Sequence, residues 1–205
     1  AKELDYTLSY DQEYKLVAGF YYITDFGLKL NIIAKQTTGN PYTPTNIYDA
    51  VYKWFNILVE RECKILGYVI MPNHIHFLIY IPIMSKNINS IIANGKRFLA
   101  YEIIKRLQEK EDSKMLYILN KQVPEKERRR GKKHAVFIPN SDIKECFTEK
   151  FIVQKLNYIH NNPISKKWKL VEDITSFQYS SAKFYELGKE GDYPIFDYRD
   201  LEYEK

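Results

Sequence analysis

The order of segments in this 205-residue chain predicts an α+β sandwich, with one antiparallel sheet and helices packed on one face. Runs rich in β-branched and aromatic residues alternate with longer stretches of helical periodicity, in the order strand, helix, strand, strand, helix. Two of these strands are separated only by Pro72 and Asn73, a break short enough for a hairpin. Hydrophobic residues make up 45% and charged residues 28%, the balance of a globular domain with a real core.

Residues 1–13 are polar and read as a flexible arm ahead of a domain spanning 14–164. Residues 14–24 (YKLVAGFYYIT) have strand composition. Residues 25–44 hold Gly27, Gly39, Asn40, Pro41 and Pro44, which predict a turn, at most a short strand, and a loop. Thr45 is positioned to cap a helix over 46–62, where Ile47, Val51, Phe55 and Leu58 fall at helical spacing. Residues 64–71 (KILGYVIM) and 74–81 (HIHFLIYI) form the hairpin strands, the second ended by Pro82. A long helix follows over 87–108, with Ile88, Ile91, Ile92, Phe98, Ile103 and Leu107 toward one side. The charged stretch 109–135 reads as an exposed basic loop inserted into the domain. The sheet's last strand is then expected at Met115–Lys121 or at His134–Ile138. Thr148 opens a further helix to about Asn162, stopped by Pro163, and 165–205 is a C-terminal extension of short aromatic segments and turns.

Composition narrows the class of function. Aromatics reach 15%, with Tyr 18 and Phe 11, and the net charge is +5. Rings interleaved with Lys and Arg suit unpaired nucleic acid, where bases stack and phosphates need cations, although an AT-rich genome also raises tyrosine and lysine. Cys63 and Cys146 form no CxxC, which argues against a cysteine-rich zinc site or a disulfide framework. No apolar run is long enough for a bilayer and the first residues lack a signal peptide's apolar stretch, so a soluble cytoplasmic, nucleoid-associated protein with no membrane partner is expected.

Two motifs carry chemistry. In His74-Ile75-His76 the strand period of two puts both imidazoles on one face, a ligand pair for a divalent metal. By itself HxH more often marks two partly buried core histidines; the Met-Pro-Asn break ahead of it sets both at a strand entrance. In the helix 149–162 (EKFIVQKLNYIHNN), Ile152, Leu156 and Ile159 make the buried stripe. Tyr158 lies about 200° from Leu156, on another face, with Asn162 and Gln154 one turn either side. A lone tyrosine there is ordinarily the rim of a core. Taken together the motifs suggest phosphodiester chemistry. Tyr158 attacks phosphorus to give a covalent phosphotyrosine, while His74, His76 and an oxygen from Asn162 (or Gln154) hold Mg²⁺ or Mn²⁺.

Gly67-Tyr-Val-Ile-Met-Pro-Asn-His-Ile-His-Phe-Leu-Ile79 and Asn157-Tyr-Ile-His-Asn-Asn-Pro-Ile164 resemble the motifs of the REP-associated tyrosine transposases, within the single-tyrosine HUH endonuclease superfamily (IS200-like transposases). The resemblance spans about 14–185. It implies a ferredoxin-like or RRM-like catalytic domain. It also implies metal-dependent cleavage and rejoining of single-stranded DNA near hairpins through a 5′-phosphotyrosine. In this sequence it assigns Tyr158 as nucleophile and His74, His76 and Asn162 as metal ligands. The insertion at 109–135 and the last forty residues depart from the pattern.

Three basic stretches are candidate DNA contacts: Lys96 and Arg97; Arg128, Arg129, Arg130, Lys132 and Lys133 in the run 126–133; and Lys166 and Lys167 beside Trp168. His134 and His160 receive no role. The leading expectation is a DNA transposase acting on single-stranded or hairpin DNA, as a monomer in preference to a homodimer. The alternatives are a non-catalytic hairpin-binding protein with the same fold and an unrelated HxH metalloenzyme.

Overall fold

The computed structural model describes residues 20–27, 46–82, 87–137, 141–146 and 148–201. The expected arm at 1–13, most of the expected first strand and the Thr45 cap lie outside them. Four strands form the sheet: β1 (Phe20–Gly27), β2 (Lys64–Met71), β3 (His74–Ile81) and β4 (Asp142–Cys146). Their order is β2-β3-β1-β4, and each neighbouring pair is antiparallel. Helix α1 (Tyr48–Val59) connects β1 to β2 across β3, and α2 (Ile88–Glu109) begins the connection from β3 to β4 across β1. Two interleaved crossovers of this kind are the ferredoxin-like topology.

Both crossover helices cover one face. Trp54 and Phe55 of α1 and Leu99 and Ile103 of α2 join Ile70, Phe77 and Ile79 in one buried cluster, where Trp54 meets Phe77 edge-on at 5.2 Å. The other face is covered as well. Helix α5 (Glu149–His160) lays Ile152, Leu156 and Ile159 on Leu66, Val69, Met71 and Leu78. Burial on both faces explains why β2 and β3 read as continuous apolar runs instead of alternating ones. Gly67 permits the close approach of α5, because a Cβ there would stand 2.4 Å from Leu156 Cδ2.

The C-terminal segment belongs to this core. It runs along the outer edge of β2, where Ile70 N–H donates to the Tyr179 carbonyl, Ser181 N–H to that of Tyr68 and Phe196 N–H to that of Ile65. Tyr198 and Leu201 join the α5 cluster, while Tyr193 reaches the opposite one. An edge strand that would otherwise offer unpaired backbone groups is thereby closed.

Three expectations need correction. The last strand is Asp142–Cys146, not Met115–Lys121 or His134–Ile138. DIKEC offers only two apolar residues, too few for a strand signal. Met115–Lys121 lies within helix α3 (Ser113–Lys121), whose Asp112 cap accepts the Met115 N–H, and 134–136 carry no strand. The basic loop contains two short helices: after α3 comes α4 (Glu125–Arg128), and its alternating charges pair as Glu125–Arg129 and Glu127–Lys132. Charge that resembled a loop is the solvated face of short helices. Helix α1 begins at Tyr48 behind Ile47, with no side-chain cap. No helix among the described residues is long and apolar enough to cross a membrane.

Candidate active site

The site forms where the start of β3 meets the exposed side of α5. Strand pleating sends His74 and His76 to the α5 face, while Ile75 and Phe77 enter the core on the other. The two imidazole centroids are 4.7 Å apart with planes at 84°. Asn73, from the break between β2 and β3, places its Oδ1 2.6 Å from His74 Nδ1. An amide oxygen only accepts, so in this contact Nδ1 carries the proton.

His76 is 3% exposed. Burial lowers its pKa to about 4, opposed in part by the negative charge of Asp142 on β4. The backbone register accounts for that influence, since Asp142 pairs with Asp25 and Asp25 with His76. The imidazole is therefore uncharged at neutral pH, the form in which histidine ligates a metal.

Helix α5 supplies the tyrosine. Thr148 caps its start by accepting the Phe151 N–H at 3.2 Å, and the buried stripe fixes its rotation. Tyr158, on the opposite side from the stripe, is 57% exposed, and its ring meets that of His76 at 5.5 Å. Asn162 Nδ2 donates to the Tyr158 carbonyl at 3.0 Å, which ties it to the end of the helix and leaves Oδ1 as its acceptor. Gln154 is exposed one turn earlier.

Beyond Pro163 the chain doubles back. Leu170 N–H donates to the Pro163 carbonyl and Trp168 N–H to that of Ser165, and this turn sets Trp168 beside His74 at 5.5 Å. Lys167 Nζ stands over the indole at 5.2 Å, and Lys166 is exposed next to it. His74, His76, Tyr158, Trp168, Lys166, Lys167 and Asn162 thus belong to one region.

The remaining basic residues do not. Lys96, Arg97, Lys132 and Lys133 line a cleft with Ile143 and helix α2, on the face opposite the histidines. Arg128, itself exposed, donates to the Asn120 carbonyl at 2.8 Å, Arg129 pairs with Glu125, and Arg130 is exposed. Charge runs in sequence carry no information about which side of a sheet they reach.

Sequence reasoning missed three residues. Lys155 Nζ lies 5.9 Å from the centre of the Tyr158 ring, and its position three residues earlier on the same helix was the available signal. Asn73 was seen only as part of a break. Asp142 lay in a segment not recognised as a strand. His160 points away from the tyrosine: it is 2% exposed and bonds Ser181 Oγ at 2.8 Å.

Among the described residues no group of three or more His, Cys, Asp or Glu is gathered to hold a metal. The candidate donors are instead the two histidines, side by side on one face of the sheet. So small a set leaves coordination positions open, unlike a closed four-ligand structural zinc site.

No family model matches the chain, and no curated protein matches it. Among solved structures, a REP-associated tyrosine transposase bound to a REP hairpin shares 16% identity with a TM-score of 0.48, over 87% of this chain and 89% of that one.

Proposed function

We propose that this protein is a metal-dependent tyrosine nuclease and strand transferase acting on single-stranded DNA, of the transposase type. The observation that carries this reading is the exposed Tyr158 ring against buried, neutral His76, with His74 completing a histidine pair. A core tyrosine would be covered, and a pair of core histidines would not stand beneath an exposed phenol. The motif resemblance around His74 and Tyr158 points the same way.

In this reading Tyr158 Oη attacks a backbone phosphorus. The Oη–P bond forms, the P–O3′ bond breaks, and the phenol's proton ends, net, on the departing 3′ oxygen. The 5′-phosphotyrosine so formed conserves the energy of the broken bond, and attack on it by another 3′ hydroxyl rejoins DNA without ATP. His74, His76 and Asn162 would hold Mg²⁺ or Mn²⁺, which supplies Lewis-acid polarisation of the phosphate oxygens. Asn73 fixes the His74 tautomer. Lys155 adds positive charge over the attacking ring, and Lys166 and Lys167 offer phosphate contacts. Trp168 offers a surface for an unpaired base.

The test is an adduct assay. The full chain is incubated with single-stranded hairpin oligonucleotides taken from the DNA flanking its own gene, with Mn²⁺ or Mg²⁺, and run on a denaturing gel. A shifted band that requires metal and Tyr158 is the expected result. Tight hairpin binding with no band under any metal would instead mark a hairpin-binding protein without chemistry.

A further inference from the structure

We propose that the cleft between α2 and the segment after α4 binds an unpaired stretch of DNA, at a second site separate from the histidine–tyrosine centre. The cleft encloses about 960 Å³. Among the described residues its cationic side chains are Lys96, Arg97, Lys132 and Lys133, against the single carboxylate of Glu127, which already pairs with Lys132 at 2.5 Å. Between them lies an apolar floor that includes Ile92, Ala100, Ile104 and Phe137. Tyr101 stands on the α2 wall, 70% exposed.

That combination selects the occupant. A duplex hides its bases and presents phosphates, so it would use the cations and leave the apolar floor and the tyrosine idle. A small anion would leave most of the volume empty. An unpaired strand uses both parts, with phosphates against lysine and arginine and bases against Tyr101 and the floor. His134, in the same lining, has its pKa lowered by burial and then by Lys133, so at neutral pH it adds a flat polar ring and no charge.

The two sites lie on opposite faces. Ile143 of β4 borders the cleft and belongs to the α1/α2 core, whereas its neighbour Asp142 acts electrostatically on His76. Strand β4 is an edge of the sheet among the described residues, so one DNA strand reaching both sites turns round that edge. This inference goes beyond the proposed function, because binding in the cleft requires neither Tyr158 nor a metal.

The test uses full-length Tyr158→Phe protein, so that absence of cleavage has no bearing on the outcome. Affinity is measured by fluorescence anisotropy for an oligothymidylate of about 20 nucleotides, which has no hairpin, and for a duplex of equal length. Lys132→Glu/Lys133→Glu should weaken oligothymidylate binding about tenfold or more. It should also reduce the slope of log affinity against log salt by about 1.4, two phosphate contacts' worth. Tyr101→Ala should weaken it about fivefold or more with the salt slope unchanged, and Tyr101→Phe should restore it. On the unaltered chain, photocrosslinking with iodo-deoxyuridine oligonucleotides should label Tyr101 or the 132–137 peptide. Parental affinity in both variants, an equally tight duplex insensitive to Tyr101→Ala, or crosslinks confined to 156–170 would overturn the proposal.

Discussion

The Tyr158 ring stands edge-on to the His76 ring, centroids 5.5 Å apart and planes at 76°, although one residue is mostly exposed and the other almost wholly buried. The helix brings a solvent-facing phenol to a histidine rooted in the sheet. Tyr158→Phe keeps the ring and this contact and deletes only Oη. Cleavage and the covalent band should vanish, while hairpin affinity stays within about twofold and stability within about 0.5 kcal/mol. Loss of binding or folding in this variant would make the tyrosine structural.

His76→Ala removes a proposed ligand, and Asn73→Ala removes only the hydrogen bond that fixes the His74 tautomer. Titration calorimetry with Mn²⁺ should show a loss for Asn73→Ala of about 10- to 100-fold, as for other outer partners of ligating histidines, and at least as large a loss for His76→Ala. Equal Mn²⁺ affinity in the parent and in His76→Ala would remove the metal from these residues.

The hairpin, the crossover helices and the α5 stripe were legible because each depends on local periodicity: HIHFLIYI between prolines, Ile88–Leu107, and Ile152, Leu156 and Ile159. The histidine and tyrosine motifs were visible for the same reason, since strand and helix periods fix which residues share a side. What stayed hidden was long-range. Strand β4 owes its place to pairing with β1, not to the apolar content of DIKEC. The 126–133 run and Lys166–Trp168 look equivalent in sequence, yet the sheet separates them. Lys155, three residues before Tyr158, was readable and overlooked.

Gly67 sets the distance from β2 to helix α5. In Gly67→Ala the new Cβ would lie 2.4 Å from Leu156 Cδ2, so Leu156 or the helix must shift. Overpacking of this kind costs about 1–3 kcal/mol. For a chain this size that is roughly a 2–4 °C fall in Tm for each kcal/mol. Adduct formation should slow as Tyr158 moves with the helix. Gly67→Ala/Leu156→Ala should be less destabilised than the sum of its single changes, because the clash is removed. Strict additivity in thermal melts would show that the two side chains do not meet.

Two buried histidines make stability depend on pH. His160 bonds Ser181 Oγ at 2.8 Å, and Ser181 Oγ also accepts the Tyr68 N–H at 2.9 Å, linking α5 to β2 and the C-terminal segment. Burial lowers the pKa of His160 to about 4, and that of His76 to about 4 despite Asp142. An unfolded histidine titrates near ~6.5, so between about 4 and 6.5 the unfolded chain binds more protons than the folded one. Stability contributed by the neutral rings is complete above about 6.5 and declines as pH falls toward 4, by up to ~1.4 kcal/mol per pH unit for each histidine. Urea midpoints should be level from about pH 7 to 8 and fall steadily below about 6. His160→Gln keeps a hydrogen-bonding amide for Ser181 and removes one titrating group, so its midpoint should fall about half as steeply with acid. A parental slope in that variant would place the acid sensitivity elsewhere.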